Sequence, residues 1–143
     1  MLFRSWATAL VKILSNNCEH INWWMRSCDA VNHIRTNRHN PSYLSDVEID
    51  LEKVTPTDSL ESALSDADLV ILAIPSAFLS ATLSNEHVQQ LLKKSIVFSA
   101  IKGIVPDELL IVGDYLHHTV GVPLNQIGVI TGPCHAEIGR AHV

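Results

Sequence analysis

The sequence predicts an α/β fold built on a doubly wound, mostly parallel sheet, from three apolar runs and the segments between them. Leu69–Ile74 (LVILAI), Ser95–Ile101 (SIVFSAI) and Ile127–Thr131 (IGVIT) are almost continuously apolar. Helical stretches, Ala77–Lys94 and Asp107–His118, lie between them. Continuously apolar strands alternating with helices belong to a parallel sheet covered on both faces. Each run also ends in a polar or turn motif: Pro75-Ser76, Lys102-Gly103 and Gly132-Pro133-Cys134-His135. Right-handed crossovers bring those three ends to one edge of the sheet, where ligands of open parallel sheets bind.

The earlier elements follow in order. Trp6–Ser15 has apolar residues at helical spacing and stops at Asn16-Asn17. His20–Met25 (HINWWM) is a short aromatic run of β type, and Asp29–Arg38 reads as a polar helix. Asn40-Pro41-Ser42 is a turn. Asp46–Val54 is ambiguous and is read as a weak edge strand. Thr57-Asp58-Ser59 caps a short helix through Ser65, with Glu61 in its first turn. Gly121–Asn125 is the candidate linker. Trp6, Trp23 and Trp24 suit a core, where their area counts most.

Composition bounds the function. The 143 residues suffice for one domain with a core, and 47% hydrophobic with 17% charged residues is ordinary for a globular chain. A net charge of -5 argues against nucleic acid or an anionic membrane as partner. No apolar run approaches the roughly 20 residues needed to span a bilayer. Met1–Leu14 is interrupted by Arg4 and Lys12 and lacks a small-residue cleavage site, so the expected location is the cytoplasm. Three irregularly spaced cysteines, Cys18, Cys28 and Cys134, outline neither a disulfide framework nor a zinc site. His117-His118 reads as a solvated pair. Cys134-His135 is a poor thiol–base pair, because adjacent residues of an extended segment point to opposite faces.

A set of short motifs, in order, carries a resemblance. These are Ser5-Trp6-Ala7-Thr8-Ala9-Leu10, Arg26, Asn40-Pro41-Ser42-Tyr43-Leu44, Ile74-Pro75-Ser76-Ala77-Phe78, Ser99-Ala100-Ile101-Lys102-Gly103 and Gly132-Pro133-Cys134-His135-Ala136-Glu137. Together they resemble the nucleotide-binding (Rossmann-type) domain of the NAD(P)-dependent glycerol-3-phosphate dehydrogenase family of the bacterial type. Ser45 stands where the family commonly has proline, and Cys134 where it often has Thr, Ser or Asn.

The resemblance implies reversible hydride transfer between NAD(P)H and dihydroxyacetone phosphate, giving sn-glycerol 3-phosphate for glycerophospholipid synthesis. It implies that Ser5 and Trp6 lie by the cofactor pyrophosphate, Arg26 by the adenine ribose and Phe78 by the nicotinamide half. Lys102 would contact cofactor and substrate, Gly132, Cys134 and His135 would line the substrate site, and Ala136 would touch the cofactor. No Asp or Glu follows the second strand to select the ribose 2′-hydroxyl, so NADP is accepted as well as NAD. A homodimer is the expected assembly, and no metal is expected.

Two expectations concern the ends. Met1–Ser5 and Glu137–Val143 can be read as translations of the two strands of a short-read library adapter, so residues 1–4 and 138–143 are expected to be non-native. The whole chain then reads as a truncated NAD(P)-binding domain lacking the family's first strand, its second domain and the catalytic lysine there, and inactive by itself. Two alternatives stay open: another dehydrogenase of similar build, and a non-catalytic nucleotide-binding module.

Overall fold

The computed structural model describes residues 3–131, with side chains from Trp6 onward. Helix α1 (Phe3–Leu14) leads to strand β1 (Ile21–Trp24) and helix α2 (Cys28–Asn37). Strand β2 (Val54–Thr57), helix α3 (Leu60–Leu64) and strand β3 (Leu69–Leu72) follow. A 3₁₀ turn (Ser76–Phe78), α4 (Leu79–Thr82) and α5 (Glu86–Leu92) lead to β4 (Ile96–Ser99). The short strands β5 (Ile104–Val105) and β6 (Leu110–Ile111) form a hairpin before α6 (Val112–Asp114). A π-helical segment (Tyr115–Val120), a 3₁₀ turn (Leu124–Gln126) and β7 (Ile127–Val129) complete the described residues.

The strands make two parallel sheets. One pairs β1 with β2, and the other runs β3-β4-β7. This is the doubly wound arrangement expected, except that no strand among the described residues hydrogen-bonds the two sheets to each other. Each sheet has its own core. Val11, Trp23, Ile34, Ile49 and Val54 pack around β1 and β2. Leu79, Leu92, Val97, Leu116 and Val122 belong to the cluster around the second sheet. Burial of the second sheet is graded along its strands. Val97 is fully buried, but the paired Leu69 and Ile96 at the amino ends are about half exposed, so cover on both faces is only partial. The Tyr115 phenol is held above its ordinary value of 10.0 mainly by burial. The Ser80 hydroxyl opposes that shift, and the Glu108 and Asp107 carboxylates add to it.

Five expectations need correction. The edge strand read over Asp46–Val54 begins only at Val54. Asp50 prevents it, since its carboxylate accepts from Glu52 N–H and its carbonyl from the N–H groups of Lys53 and Val54, which makes a turn. The strand instead runs through Pro56, which an edge position tolerates. The helix read over Ala77–Lys94 is interrupted. Asn85 accepts from His87 and Val88 N–H and starts α5 afresh.

The helix read over Asp107–His118 begins only at Val112. Val105 precedes Pro106 and is biased to extended backbone, and Leu109 sits at φ 54, so the chain folds back as a hairpin first. Gly121–Asn125 is not a linker. Gly121 takes φ 83 and turns the chain, Val122 is fully buried, and its N–H bonds the Leu116 carbonyl. His117 is accordingly half-buried, its Nδ1–H donating to the Val122 carbonyl at 3.0 Å, while His118 alone is solvated.

Gly128 pairs with Phe98 across β4 and β7, and a Cβ at that position would overlap the Phe98 ring. Gly128→Ala is expected to cost about 1–3 kcal/mol of stability, the usual range for overpacking. Urea unfolding followed by tryptophan fluorescence would show it as a lowered midpoint. A change below about 0.5 kcal/mol would mean that the ring swings aside freely.

Candidate functional site

The candidate site forms where the parallel strands end. After β1 the chain must turn within three residues. Met25 N–H still pairs with the Thr57 carbonyl at 2.8 Å, and the Ser27 hydroxyl already caps α2 by accepting from Ala30 N–H at 3.3 Å. Arg26 lies between these two anchors and is exposed. After β3, Pro75 sets up the 3₁₀ turn. Phe78 N–H bonds the Pro75 carbonyl at 2.9 Å, and the Phe78 carbonyl accepts from the Thr82 hydroxyl at 2.7 Å. Its backbone is fixed from both sides, yet its ring is 41% exposed while the neighbouring Leu79 is fully buried.

The two strand ends meet here. The Arg26 guanidinium carbon stands 4.8 Å from the centroid of the Phe78 ring, within cation–π range. The structure thus joins the end of the β1-β2 sheet to that of the β3-β4-β7 sheet. Among the described residues Arg26 has no hydrogen bond or ion pair.

After β4, Ala100 N–H bonds the Leu72 carbonyl and Ile101 N–H bonds the Ser99 hydroxyl. These bonds hold the strand end rigid up to Lys102, which is half-buried. Gly103 then takes φ 85 with open space around it, which redirects the chain into β5. Ile130 N–H bonds the Ser99 carbonyl and carries the β7 pairing one residue further, toward the same edge. Gly132, Cys134, His135 and Ala136 lie outside the described residues. Ser5 lies in the first turns of α1, and Trp6 beside it is 42% exposed, so of the three tryptophans it is Trp23 that serves the core. Trp24 is half-buried and donates its indole N–H to the Asp58 carbonyl.

Two residues escaped the reading of the sequence as parts of this site. Thr8 is fully buried, and its hydroxyl accepts from the Asn40 side-chain amide at 2.9 Å. The Asn40 side-chain oxygen accepts from Ser42 and Tyr43 N–H at 3.0 and 3.1 Å. One side chain therefore shapes the loop after α2 and fastens it to α1, the helix that carries Ser5 and Trp6. The available signal was the Asn-Pro-Ser turn itself, since asparagine in such turns bonds backbone two residues on.

This edge fits a dinucleotide. It offers two cations, Arg26 and Lys102, an exposed aromatic ring, and no carboxylate from Met25 to Cys28 to repel a phosphate near the ribose. A hollow of about 320 Å³ lined by Asp66, Asp68 and Lys94 lies at the opposite, amino ends of β3 and β4, and shares none of these residues. Among the described residues no helix is long and apolar enough to cross a membrane.

Residues 4–143 match the family model described as NAD-dependent glycerol-3-phosphate dehydrogenase N-terminus. The glycerol-3-phosphate dehydrogenase [NAD(P)+] of Alcanivorax borkumensis is 37% identical over 129 residues, covering 90% of this chain and 36% of the relative. That of Bacillus subtilis is 31% identical over 140 residues, covering 96% and 40%. The chain thus spans about two-fifths of the length of these relatives. Among solved structures, glycerol-3-phosphate dehydrogenase from Coxiella burnetii superposes with a TM-score of 0.72 at 22% identity, covering 96% of this chain and 41% of that one. The yeast enzyme gives 0.72 at 20% identity, covering 96% and 42%. At such identities the structures speak for the fold alone.

Proposed function

The chain belongs to the family defined by the N-terminal domain of NAD-dependent glycerol-3-phosphate dehydrogenase, and from that premise we propose that it is the dinucleotide-binding part of an enzyme interconverting dihydroxyacetone phosphate and sn-glycerol 3-phosphate for glycerophospholipid synthesis. The observation that carries this reading is the Arg26–Phe78 contact beyond the carboxyl ends of β1 and β3, with Lys102 following the carboxyl end of the parallel β4. Bound NAD(P)H supplies the hydride.

In this reading the chain's own residues bind and orient. Ser5 and Trp6, at the start of α1, serve the pyrophosphate, which helix N-termini favour. Arg26 faces the adenine ribose, Phe78 supplies an apolar surface, and Lys102 neutralises cofactor or substrate anion. Gly132, Cys134 and His135 line the substrate side and Ala136 the cofactor side. The group that protonates the carbonyl oxygen comes from outside these residues. A cytoplasmic homodimer without nucleic-acid or membrane partners completes the reading, and the net charge of -5 supports the last part of it.

The test is a titration of NADPH and NADH into the 143-residue chain, following nicotinamide and tryptophan fluorescence. Saturable binding, displaced by ADP-ribose, is the expected result, with no oxidation on adding dihydroxyacetone phosphate. Absence of nucleotide binding by a demonstrably folded chain would defeat the cofactor reading. Steady turnover would defeat the assignment of the catalytic acid to residues elsewhere.

A further inference from the structure

We propose that Phe78 is a positioning residue for Arg26, holding the guanidinium over the crevice so that its N–H groups meet a phosphate on the adenine half of the dinucleotide. The inference rests on the cofactor reading above. It departs from the simpler expectation that Arg26 and Phe78 serve opposite halves of the cofactor independently.

Three observations carry it. First, the guanidinium sits 4.8 Å from the ring centroid, and no other described group holds it. An exposed arginine at a strand end would otherwise sample many rotamers and lose that freedom on binding. Second, a ring attracts the cation through its π face and uses none of its five N–H donors. A hydrogen-bonded carboxylate partner would have occupied those donors and cancelled the charge. The ring therefore orients Arg26 and leaves its anion-binding capacity intact. Third, the ring has little other work in the fold. It is 41% exposed and stands outside both core clusters, while its backbone is locked by the Pro75 carbonyl and the Thr82 hydroxyl. A fixed base and an exposed face make it a platform for a side chain from the other sheet.

The experiment measures binding of 2′,5′-ADP, which carries the adenine-side phosphates but no nicotinamide, with adenosine as the phosphate-free control. The 143-residue chain is compared with Phe78→Leu, Phe78→Tyr, Arg26→Gln and the double variant Phe78→Leu/Arg26→Gln. Phe78→Leu is expected to weaken 2′,5′-ADP about two- to fivefold, the range for an exposed cation–π contact. Phe78→Tyr, which keeps the ring face, should restore it. In the Arg26→Gln background Phe78→Leu should have no further effect, and Phe78→Leu should change adenosine binding by less than it changes 2′,5′-ADP binding.

An equal loss in both backgrounds would overturn the proposal, because Phe78 would then touch the ligand or the fold directly. So would an unchanged affinity for Phe78→Leu, or for Arg26→Gln, in a chain that binds NADPH. Should Phe78→Leu unfold, the comparison of Phe78→Tyr with Phe78→Met decides in its place. If the unaltered chain binds neither NADPH nor 2′,5′-ADP, the cofactor reading itself has failed, and this proposal with it.

Discussion

Asn40→Ala is expected to lower the unfolding free energy by about 2–3 kcal/mol, because it leaves a buried hydroxyl without its partner. Asn40 is 7% exposed and Thr8 is fully buried, so water cannot readily replace the lost bond between them. Ser42 is exposed and Tyr43 half-buried, and their N–H groups can turn to solvent more cheaply. Most of the cost therefore falls on Thr8. Thr8→Val, which keeps shape and removes the acceptor, should cost about 1–3 kcal/mol by stranding the Asn40 amide.

The two losses should not add. A double-mutant cycle by urea unfolding should recover a coupling of about 1 kcal/mol or more, as for neighbours sharing one bond. Full additivity would show that the Thr8–Asn40 bond contributes nothing of its own. The same substitution should loosen the first turns of α1 and so weaken NAD(P)H binding, although neither residue is proposed to touch the cofactor.

This pair marks where the sequence stopped being legible. The motifs around Thr8 and Asn40 were recognised separately, one as the start of a helix and the other as a turn. Nothing in local pattern says that an asparagine reaches back to one particular threonine of an earlier helix. That bond is set by how α2 packs, through Val31 and Ile34, and by the αL residue Arg38 that ends it. The Arg26–Phe78 contact was hidden for the same reason, since it joins the ends of strands in different sheets.

What was legible depended on length and solvation. The apolar runs that became β3, β4 and β7 stand out because strands in a parallel sheet are apolar on both faces. The short helices were also readable, α2 as a polar helical run and α3 from its Thr57-Asp58-Ser59 cap, in which Ser59 accepts from Ser62 N–H. The reading failed where a few residues decide between competing local structures. Asp50 closes a turn where a strand was expected, and Asn85 restarts a helix expected to run through it. Pro106 and the turn to Leu109 similarly convert an expected helix into a hairpin. In each case a single side-chain-to-backbone bond or a steric restriction of the backbone outweighs the average periodicity of its surroundings.

Lys102→Met is expected to weaken NAD(P)H binding about tenfold or more, the scale of a lost hydrogen bond to a charged group. In the proposed reading Lys102 owes this role to its support. Ala100 N–H is bonded to β3, Ile101 N–H to the Ser99 hydroxyl, and Gly103 turns away at φ 85, so the lysine is presented at the strand end by fixed backbone. Lys102→Arg keeps the charge but not the compact ammonium, and should recover only part of the affinity.

Because Lys102 is half-buried, the unfolding midpoint of each variant has to be measured beside its affinity, so that a lost fold is not mistaken for a lost contact. Salt separates the charge from the rest. Raising ionic strength should weaken binding by the unaltered chain more than by Lys102→Met, since screening acts on the charge that methionine lacks. Equal salt dependence in the two, or an affinity within twofold of the unaltered chain, would remove Lys102 from the cofactor site. The proposed anion binding at this edge would then fall to Arg26 and the start of α1.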